Sequence, residues 1–408
     1  MRLLVIGHQW PDSTASAAGS RMIQLIKMFD EEGYEITFSC TAQTNETTSL
    51  LESLGIKTQT ILLNHSSFDE FLKKINPDTV LFDRFMMEEQ FGWRVAEACP
   101  NALRMLDTED LHFLRKARQI ALKDRNEIDT SLLQNELAKR EIASIYRCDL
   151  SLIISETEME ILTEQFQVSE KLLHYIPFLL DEISEEKQEK LPQFSERNNF
   201  IFIGNFLHAP NVDAVLYLKK HIWSQFRDEL PKAELHIYGA YATQQIQELH
   251  NIKEGFLIKG KAQEVASVMR EAKVNLAPLR FGAGLKGKLL EAMLYGTPSV
   301  TSSVGVEGMC GDLPFSGFIE DDAKQFIEAA IRLYVSEEIW KEFQQNGYEI
   351  LTKRFQKKTF KNSFFETIKQ LQKQLKLHRQ QNFIGQLLQH HSMQSTKFMS
   401  KWIEEKNK

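Results

Sequence analysis

The chain has 408 residues, of which 42% are hydrophobic and 26% are charged, and its formal net charge at pH 7 is -7. The composition is that of an ordinary globular protein, and the length predicts two domains. The negative charge argues against a general nucleic-acid-binding protein, because such proteins carry a basic footprint. No run of about 18 apolar residues occurs, so no membrane-spanning helix is predicted. The four cysteines are not spaced as a zinc site or redox pair, and no signal peptide is evident, so we expect a cytoplasmic location.

Strand-like and helix-like segments alternate through the first half of the chain. Arg2 to Gly7 is a continuous apolar run, typical of a strand buried on both faces, and the apolar residues from Met22 to Phe29 recur at helical spacing. The further strands are predicted at 35–39, 56–63, 79–83, 102–106 and 150–155. Helices fill the intervals, including a long one within 112–147. This alternation predicts a parallel, doubly wound sheet.

A charged stretch, 181–198, interrupts the pattern and is predicted to be an interdomain linker. A second alternating series then begins, with strands predicted at 200–204, 234–239, 255–259, 274–278 and 299–302. We therefore predict an α/β protein with two Rossmann-like, doubly wound domains, residues 1–180 and residues 199–352. Ligands of such domains bind outside the carboxyl ends of the strands, so two facing domains would share one interdomain cleft.

The C-terminal part is predicted to be helical. Residues 322–376 have a helical pattern throughout, and 353–376 is predicted to cross back to the N-terminal domain. The tail, 377–408, is polar and rich in glutamine, with apolar residues at the spacing of amphipathic helices. That spacing predicts packing on the body of the protein or contact with a partner or membrane surface.

The strongest functional signal is the segment from Ala277 to Met293, where a predicted strand leads through a glycine-rich loop into a helix. Gly282 and Gly284 allow the backbone to approach a ligand closely, and the helix start offers unpaired N–H groups to an anion. Lys286 lies in the first turn, where a cation is unfavourable unless an anion is near. A phosphate explains this lysine simply, and a solvated loop lysine is the alternative. Glu291 is suited to accept hydrogen bonds from ribose hydroxyls, or else pairs within the core.

Other common nucleotide motifs do not occur. The glycine-rich loop lacks the Gly-Lys-Ser/Thr ending of a Walker A motif, and the N-terminal loop does not match Gly-x-Gly-x-x-Gly, which counts against a dehydrogenase. Neither an Asp-x-Asp motif nor a Cys/His set with metal-ligand spacing is found. We therefore predict neither a metal site nor a cofactor.

Two loops of the predicted N-terminal domain also carry candidate residues. The loop 13–21 is rich in small residues and opens a helix, which predicts either an anion or sugar cradle or a plain connection. The segment 107–112 is polar and follows a predicted strand. This predicts that His112 contacts a sugar hydroxyl or supports charge in the cleft, or else that the segment caps a helix. The candidates in these loops are Ser16, Gly19, Arg21, Asp107, Glu109 and His112.

These residues together resemble the GT-B-fold retaining glycosyltransferases of glycosyltransferase family 4. The similarity covers roughly residues 1–376. Its most specific part is the segment Gly282 to Met293, continued by Tyr295 to Thr301. The segments 202–211, 305–308 and 103–114 are similar to further segments of the family.

The resemblance implies that the C-terminal domain holds a nucleotide-diphosphate sugar and that the N-terminal domain holds an acceptor. Glu291 matches the carboxylate that binds the nucleotide ribose, and Lys286 with nearby N–H groups would hold the diphosphate. Lys286, His112 and Arg280 are the implied catalytic residues. The other implied donor-binding residues are Gly282, Gly284, Gly204, Asn205, Gly260, Lys261 and Glu307.

Two positions depart from the family pattern. The acid usually found eight residues before Glu291 is Ala283 here. The family's frequent Arg and Lys after the first strand of the second domain are absent, and Asn205 and Asn211 stand in that stretch. We expect Arg280 or Lys286 to compensate for these missing residues.

The sequence thus predicts a glycosyltransferase that acts with retention, without a metal ion, in the synthesis of a polysaccharide or cell-envelope glycoconjugate. An inactive binding or scaffold protein, or a nucleotide-sugar epimerase or phosphorylase of the same fold, is the alternative. The stretch 353–379 holds nine Lys or Arg residues and one acid, Glu366. It predicts either contact with an anionic membrane leaflet that carries a lipid-linked acceptor, or a solvated helix face.

Overall fold

The computed structural model describes residues 1–12, 16–44, 46–124 and 129–408. Two parallel sheets, each covered by helices, form the body of the protein, as the alternating sequence pattern predicts. All strand pairs within the two sheets are parallel. The predicted α/β class with two doubly wound domains is therefore confirmed.

The first sheet has seven strands in the order β3-β2-β1-β4-β5-β6-β7. Its strands are β1 (Arg2–Gly7), β2 (Glu35–Cys40), β3 (Lys57–Thr60), β4 (Thr79–Asp83), β5 (Leu103–Asp107), β6 (Leu150–Ile153) and β7 (Leu173–Tyr175). Its helices are α1 (Ala17–Glu31), α2 (Glu46–Ser53), α3 (Ser67–Ile75), α4 (Phe85–Ala98), α5 (His112–Asp124), α6 (Thr130–Leu133), α7 (Glu136–Arg147) and α8 (Glu156–Glu160). The long helix predicted within 112–147 is thus α5, α6 and α7, and residues 125–128 of that prediction lie outside the described residues.

The second sheet has six strands in the order β10-β9-β8-β11-β12-β13. Its strands are β8 (Asn198–Ile203), β9 (Leu235–Tyr238), β10 (Phe256–Gly260), β11 (Ala272–Ala277), β12 (Ser299–Thr301) and β13 (Gly317–Ile319). The helices here are α9 (Glu185–Glu189) before the sheet, then α10 (Ala209–Tyr217), α11 (Trp223–Glu229), α12 (Gln244–Gln247), α13 (Val265–Glu271), α14 (Gly287–Leu294), α15 (Ser303–Val306), α16 (Ala323–Val335) and α17 (Glu337–Arg354). The three-residue strands β7 and β13 were not predicted, since so few residues show no clear periodicity.

Two long helices, α18 (Lys357–Gln381) and α19 (Phe383–Lys406), follow the second sheet and pack on the first domain. Phe364 and Phe365 of α18 lie in the core of the first domain, where both meet Phe29 edge to face. The α19 helix packs on α4 and α7, and its Ser400 hydroxyl accepts a hydrogen bond from Arg94. The polar tail is therefore a helix with one face against the protein body.

The basic stretch 353–379 spans the end of α17 and most of α18. Seven of its nine cations form ion pairs: Lys353 with Glu349, Arg354 with Glu156, Lys357 with Glu31 and Asp181, Lys358 with Glu182, Lys361 with Glu31, Lys369 with Glu32, and Arg379 with Asp149. Most of these cations therefore face acidic side chains of the protein itself. Within the described part of the chain, none of the helices has the length and apolarity needed to cross a bilayer.

The strand order fixes where ligands bind. In each sheet the order reverses at one point, between β1 and β4 in the first and between β8 and β11 in the second. Loops that leave neighbouring strands at such a point diverge, which opens a crevice at the carboxyl edge of the sheet. The glycine-rich loop predicted to bind phosphate follows β11 and therefore lies at this crevice.

Candidate active site

A cleft of about 710 Å³ lies between the two domains. The first domain lines it with the loops that follow β1, β4 and β5, and the second domain lines it with the loops that follow β8, β9, β10 and β11. Both sheets thus direct their carboxyl edges, including the two points of strand reversal, towards one space. This arrangement suits a ligand that spans both domains.

The start of α14 brings two cations and one carboxylate to the cleft. Lys286 is the N-cap residue of α14, and its amino group donates a 2.5 Å hydrogen bond to the Gly284 carbonyl. The Lys288 amino group donates to Asn211 Oδ1 at 2.7 Å and lies 4.1 Å from the centre of the Phe202 ring. All three side chains, Lys286, Lys288 and Glu291, line the cleft.

Burial shifts the pKa of each of these groups towards its neutral form. It lowers the pKa of Lys286 to about 8 and that of Lys288 to about 7, and it raises the pKa of Glu291 to about 7. Opposing charges partly counter these shifts. Glu307 raises the pKa of Lys286, Glu291 raises that of Lys288, and Lys288 lowers that of Glu291. A bound diphosphate would supply the opposite charge that holds both lysines protonated.

Lys288 was not among the residues predicted from the sequence, whereas Arg280 was. Arg280 forms a bidentate pair with Asp213, at 2.9 and 2.5 Å, and its guanidinium lies 4.7 Å from the centre of the Tyr217 ring, so it does not line the cleft. Lys288 instead reaches Asn211, in the stretch where the family often has Arg and Lys. Arg280, one of the two residues expected to compensate, therefore lies outside the cleft, whereas Lys288 lies in it beside Lys286.

The glycine-rich loop also docks on the first domain. Gly284 has a φ of 62°, which favours glycine, and its N–H donates to Glu158 Oε1 at 2.8 Å. Ala283 packs into the apolar core of the first domain. The Gly282 carbonyl and the Glu307 carboxylate both accept hydrogen bonds from Arg118. Gly284 and Glu307, both predicted to bind donor, therefore join the domains and do not line the cleft.

The other predicted donor-site residues lie in the loops after β8 and β10. Gly204 and Asn205 line the cleft, and a Cβ atom on Gly204 would lie 2.6 Å from the Asn211 side chain, so glycine leaves room for that amide. Lys261 lines the cleft and its amino group lies 3.3 Å from Asp12 Oδ2 of the other domain. Gly260, with a φ of 74°, supports this turn without lining the cleft.

The predicted phosphate loop of the first domain is only partly at the cleft. Ser16 lines the cleft and caps α1, its hydroxyl accepting from the Gly19 N–H at 3.0 Å. Arg21 is buried, forms a 3.0 Å ion pair with Asp107, and donates to the Ile176 carbonyl. Gly19, Arg21 and Asp107 therefore stabilise the domain interior and do not contact the cleft. Residues 13–15 of this loop lie outside the described residues.

The segment after β5 does reach the cleft. Glu109 and His112 both line it. Burial lowers the pKa of His112 to about 4, so the imidazole is neutral at pH 7 and acts through hydrogen bonds, and the predicted role in supporting charge is not favoured. Its Nε2 lies 3.3 Å from Asp110 Oδ1. Asp110 also pairs with Arg115. Burial alone would raise the pKa of Asp110, but Arg115, His112 and His208 together hold it well below its usual range.

Several cleft residues were not among the predicted site residues. They include Arg84 after β4 and Arg115 on α5 in the first domain, and His208 after β8 in the second domain. Arg84 and Arg115 stand outside the glycine-rich and acidic motifs, so no local sequence signal marks them. Among the described residues, no group of three His, Cys, Asp or Glu side chains is placed to hold a metal ion.

Comparison with known proteins agrees with this geometry. Residues 197–336 match the family model described as Glycosyl transferases group 1. No curated protein sequence matches the chain. The resemblance stated from the sequence is thus confirmed for the second domain.

Solved structures match nearly the whole chain. Sucrose-phosphate synthase from Thermosynechococcus elongatus matches with a TM-score of 0.66 and 16% identity, over 91% of this chain and 98% of that chain. Anabaena HepE in complex with UDP-glucose matches with a TM-score of 0.65 and 14% identity, over 91% and 100%. The pneumococcal O-GlcNAc transferase GtfA in complex with UDP and GlcNAc matches with a TM-score of 0.67 and 12% identity, over 91% and 99%. These matches establish the GT-B fold.

Proposed function

We propose that this protein, which has the GT-B fold and a Glycosyl transferases group 1 domain, moves a sugar from a nucleotide-diphosphate sugar to an acceptor hydroxyl. The carrying observation is the convergence of Lys286, Lys288 and Glu291 on the interdomain cleft at the start of α14. Two partly or wholly buried lysines with lowered pKa values at a helix start form a site that an anionic diphosphate would complete. The HepE and GtfA structures contain UDP-glucose or UDP, which supports this class of donor.

The donor diphosphate would lie over the start of α14. There the first residue of α14, Gly287, lies next to the first residue of α1, Ala17, so two helix N-termini are close together. Each N-terminus carries a partial positive charge that favours a phosphate. Glu291, one turn further along α14, would accept hydrogen bonds from the ribose hydroxyls. In this proposal the start of α14 binds the diphosphate of the donor, and Glu291 binds its ribose.

The chemistry is a substitution at the anomeric carbon. The bond between that carbon and the diphosphate oxygen breaks, and negative charge develops on the leaving nucleoside diphosphate. Lys286, Lys288 and the helix N–H groups would stabilise this charge, and one such preorganised donor is typically worth about 10²–10³ in rate. The acceptor oxygen attacks from the face that the diphosphate leaves, which retains configuration, and its proton passes to the leaving phosphate. The two lysines would supply the positive charge, so we propose that neither a metal ion nor another cofactor is needed.

The acceptor would bind on the side of the first domain, and we propose a saccharide or cell-envelope glycoconjugate. Nucleotide sugars and reduced thiols fit a cytoplasmic location, and all four cysteines are free and buried. We do not assign membrane contact to the stretch 353–379, because most of its cations already pair with acidic side chains.

The test is binding and slow hydrolysis of UDP-, GDP- and ADP-sugars in the presence of EDTA. Wild type is compared with Lys286→Ala, Lys288→Ala and Glu291→Ala, each of which should weaken donor binding about 10- to 100-fold, the effect of losing a hydrogen bond to a charged group. Arg280→Ala is the matched variant, because its cation is paired with Asp213 outside the cleft, and donor binding should not change.

The same experiment separates the alternatives. Absence of binding to every nucleotide sugar would reject the donor site and favour a scaffold protein. Interconversion of the donor without an acceptor would indicate an epimerase, and phosphate-dependent cleavage would indicate a phosphorylase. NMR of the anomeric proton in the product tests retention, and full activity in EDTA tests metal independence.

A further inference from the structure

Two non-glycine residues on the acceptor side of the cleft have left-handed backbone conformations. Arg84, after β4, has φ 72° and ψ 157°, a region that is essentially reserved for glycine, and Glu109, after β5, has φ 63°. Their strands are neighbours, since Asp83 pairs with Asp107 in the sheet. Glycine would adopt both conformations without strain, so folding alone does not account for an arginine and a glutamate here.

Both residues line the cleft. The Arg84 side chain is 15% exposed, and its Nε lies 3.5 Å from Asp83 Oδ1. Glu109 is 8% exposed and also lines the cleft. Within the described parts of the chain, no hydrogen bond is donated to its carboxylate. Because Glu109 lines the cleft, its carboxyl group can hydrogen-bond a ligand there.

The surrounding charges indicate what kind of ligand fits. Asp107 is paired with Arg21, and Asp110 is paired with Arg115. Asp83 receives the His8 N–H and lies beside Arg84. Each of these cations thus already faces a carboxylate, and burial together with Asp107 and Asp83 raises the pKa of the Glu109 carboxyl group well above its usual value, which favours its neutral form. Among these described residues no cation is left over to balance a phosphate or carboxylate ligand, whereas hydroxyl groups can donate to the carboxyl group and accept from the guanidinium.

We propose that Arg84 and Glu109 bind neighbouring hydroxyl groups of an uncharged saccharide, and that the acceptor therefore presents a neutral sugar to this cleft. The Arg84 guanidinium donates a hydrogen bond to one hydroxyl oxygen, and the Glu109 carboxyl group accepts a hydrogen bond from a second hydroxyl. This inference rests on the proposed function and adds the chemical class of the acceptor. It also explains why two strained side chains are kept where glycine would fit.

The experiment uses the full chain with the nucleotide sugar that it hydrolyses. Acceptors are p-nitrophenyl glycosides of glucose, galactose, mannose and N-acetylglucosamine, together with two charged probes, p-nitrophenyl glucuronide and glucose 6-phosphate. The variants are Arg84→Gly and Glu109→Gly, each of which removes the side chain and the strain together. The control is Gln167→Gly, because Gln167 also has a positive φ of 51° but lies outside the cleft.

We expect one of the neutral glycosides to be bound and glycosylated by wild type. Arg84→Gly should raise the acceptor KM about tenfold or more, since it removes a hydrogen bond to a charged group, and Glu109→Gly should raise it about two- to tenfold, since it removes a hydrogen bond to a carboxyl group. Donor affinity and donor hydrolysis should stay at the wild-type level. The thermal midpoint of Arg84→Gly should equal or exceed that of wild type, as for Gln167→Gly.

Several results would overturn the inference. One is an unchanged acceptor KM in both variants, and another is a lower thermal midpoint of Arg84→Gly without a change in KM, which would make Arg84 a structural residue. A preference for the charged probes, or failure of every neutral glycoside to bind while donor hydrolysis continues, would also reject it. Those outcomes leave the donor site intact, whereas absence of donor binding in wild type would reject the proposed function.

Discussion

Glu158 makes the clearest case for a single side chain that joins the two domains. It lies on α8, is only 1% exposed, and its Oε1 accepts the Leu111 N–H at 2.9 Å and the Gly284 N–H at 2.8 Å. One oxygen thus ties the polar segment of the first domain to the glycine-rich loop of the second. Burial raises the pKa of Glu158 to about 7; Asp110 acts in the same direction and Lys286 opposes it.

Replacing Glu158 should therefore destabilise the protein, and the loss of stability should depend on which residue takes its place. Glu158→Ala leaves two buried N–H groups without a partner, and at about 1–3 kcal/mol each the cost is about 2–6 kcal/mol. Glu158→Gln keeps an acceptor oxygen and should stay near wild type at pH 6. Glu160→Ala, on the same helix but exposed, should have no effect.

The effect of pH has a definite sign. The folded pKa of Glu158, about 7, lies above its ordinary value of 4.5, so the folded state holds the proton more tightly and loses stability as the pH rises from about 4.5 to about 7. Glutamine stays neutral at every pH. Between pH 6 and pH 9 the free energy of unfolding of wild type should therefore fall by about 1.4 kcal/mol relative to that of Glu158→Gln, because about one unit of the pKa shift lies above pH 6.

Urea unfolding at pH 6 and pH 9, followed by tryptophan fluorescence, measures both effects. A cost of less than about 0.5 kcal/mol for Glu158→Ala would mean that the two N–H groups find water, and it would refute the bridging role. If the difference in unfolding free energy between Glu158→Gln and wild type does not change with pH, Glu158 is not the buried group that titrates.

Three further predictions concern the donor site and the helix that returns to the first domain. Gly287→Ala places a Cβ atom 2.5 Å from the Ala17 Cβ across the cleft, so donor turnover should fall about tenfold while small-angle scattering shows a larger radius. Phe364→Ala should cost about 3–5 kcal/mol in urea unfolding, because Phe364 is fully buried in the first domain's core. Donor affinity, measured by calorimetry, should peak near pH 7, because Glu291 loses its charge below about 7 and Lys288 loses its charge above about 7; Glu291→Gln should remove the acidic limb.

The sequence by itself determined the features that depend on neighbouring residues along the chain. A run such as Leu3 to Ile6 can satisfy its hydrophobicity only inside a sheet, and all four of these residues are fully buried in β1. In the same way, the glycines and charges between Gly282 and Glu291 predict a loop that leads into a helix at an anion site. The strand alternation and the glycine-rich loop could be predicted for this reason, whereas the GT-B fold was expected from the resemblance to a known family.

Only the tertiary structure decided which charged side chains reach the cleft. Arg21 and Arg280 have suitable sequence positions, yet one pairs with Asp107 inside the first domain and the other pairs with Asp213 outside the cleft. Lys288 reaches the cleft because α14 turns its side chain towards Asn211, 77 residues earlier in the chain. The packing of helices and domains decides which charged groups come together. A local sequence pattern therefore does not predict the partner of a long charged side chain.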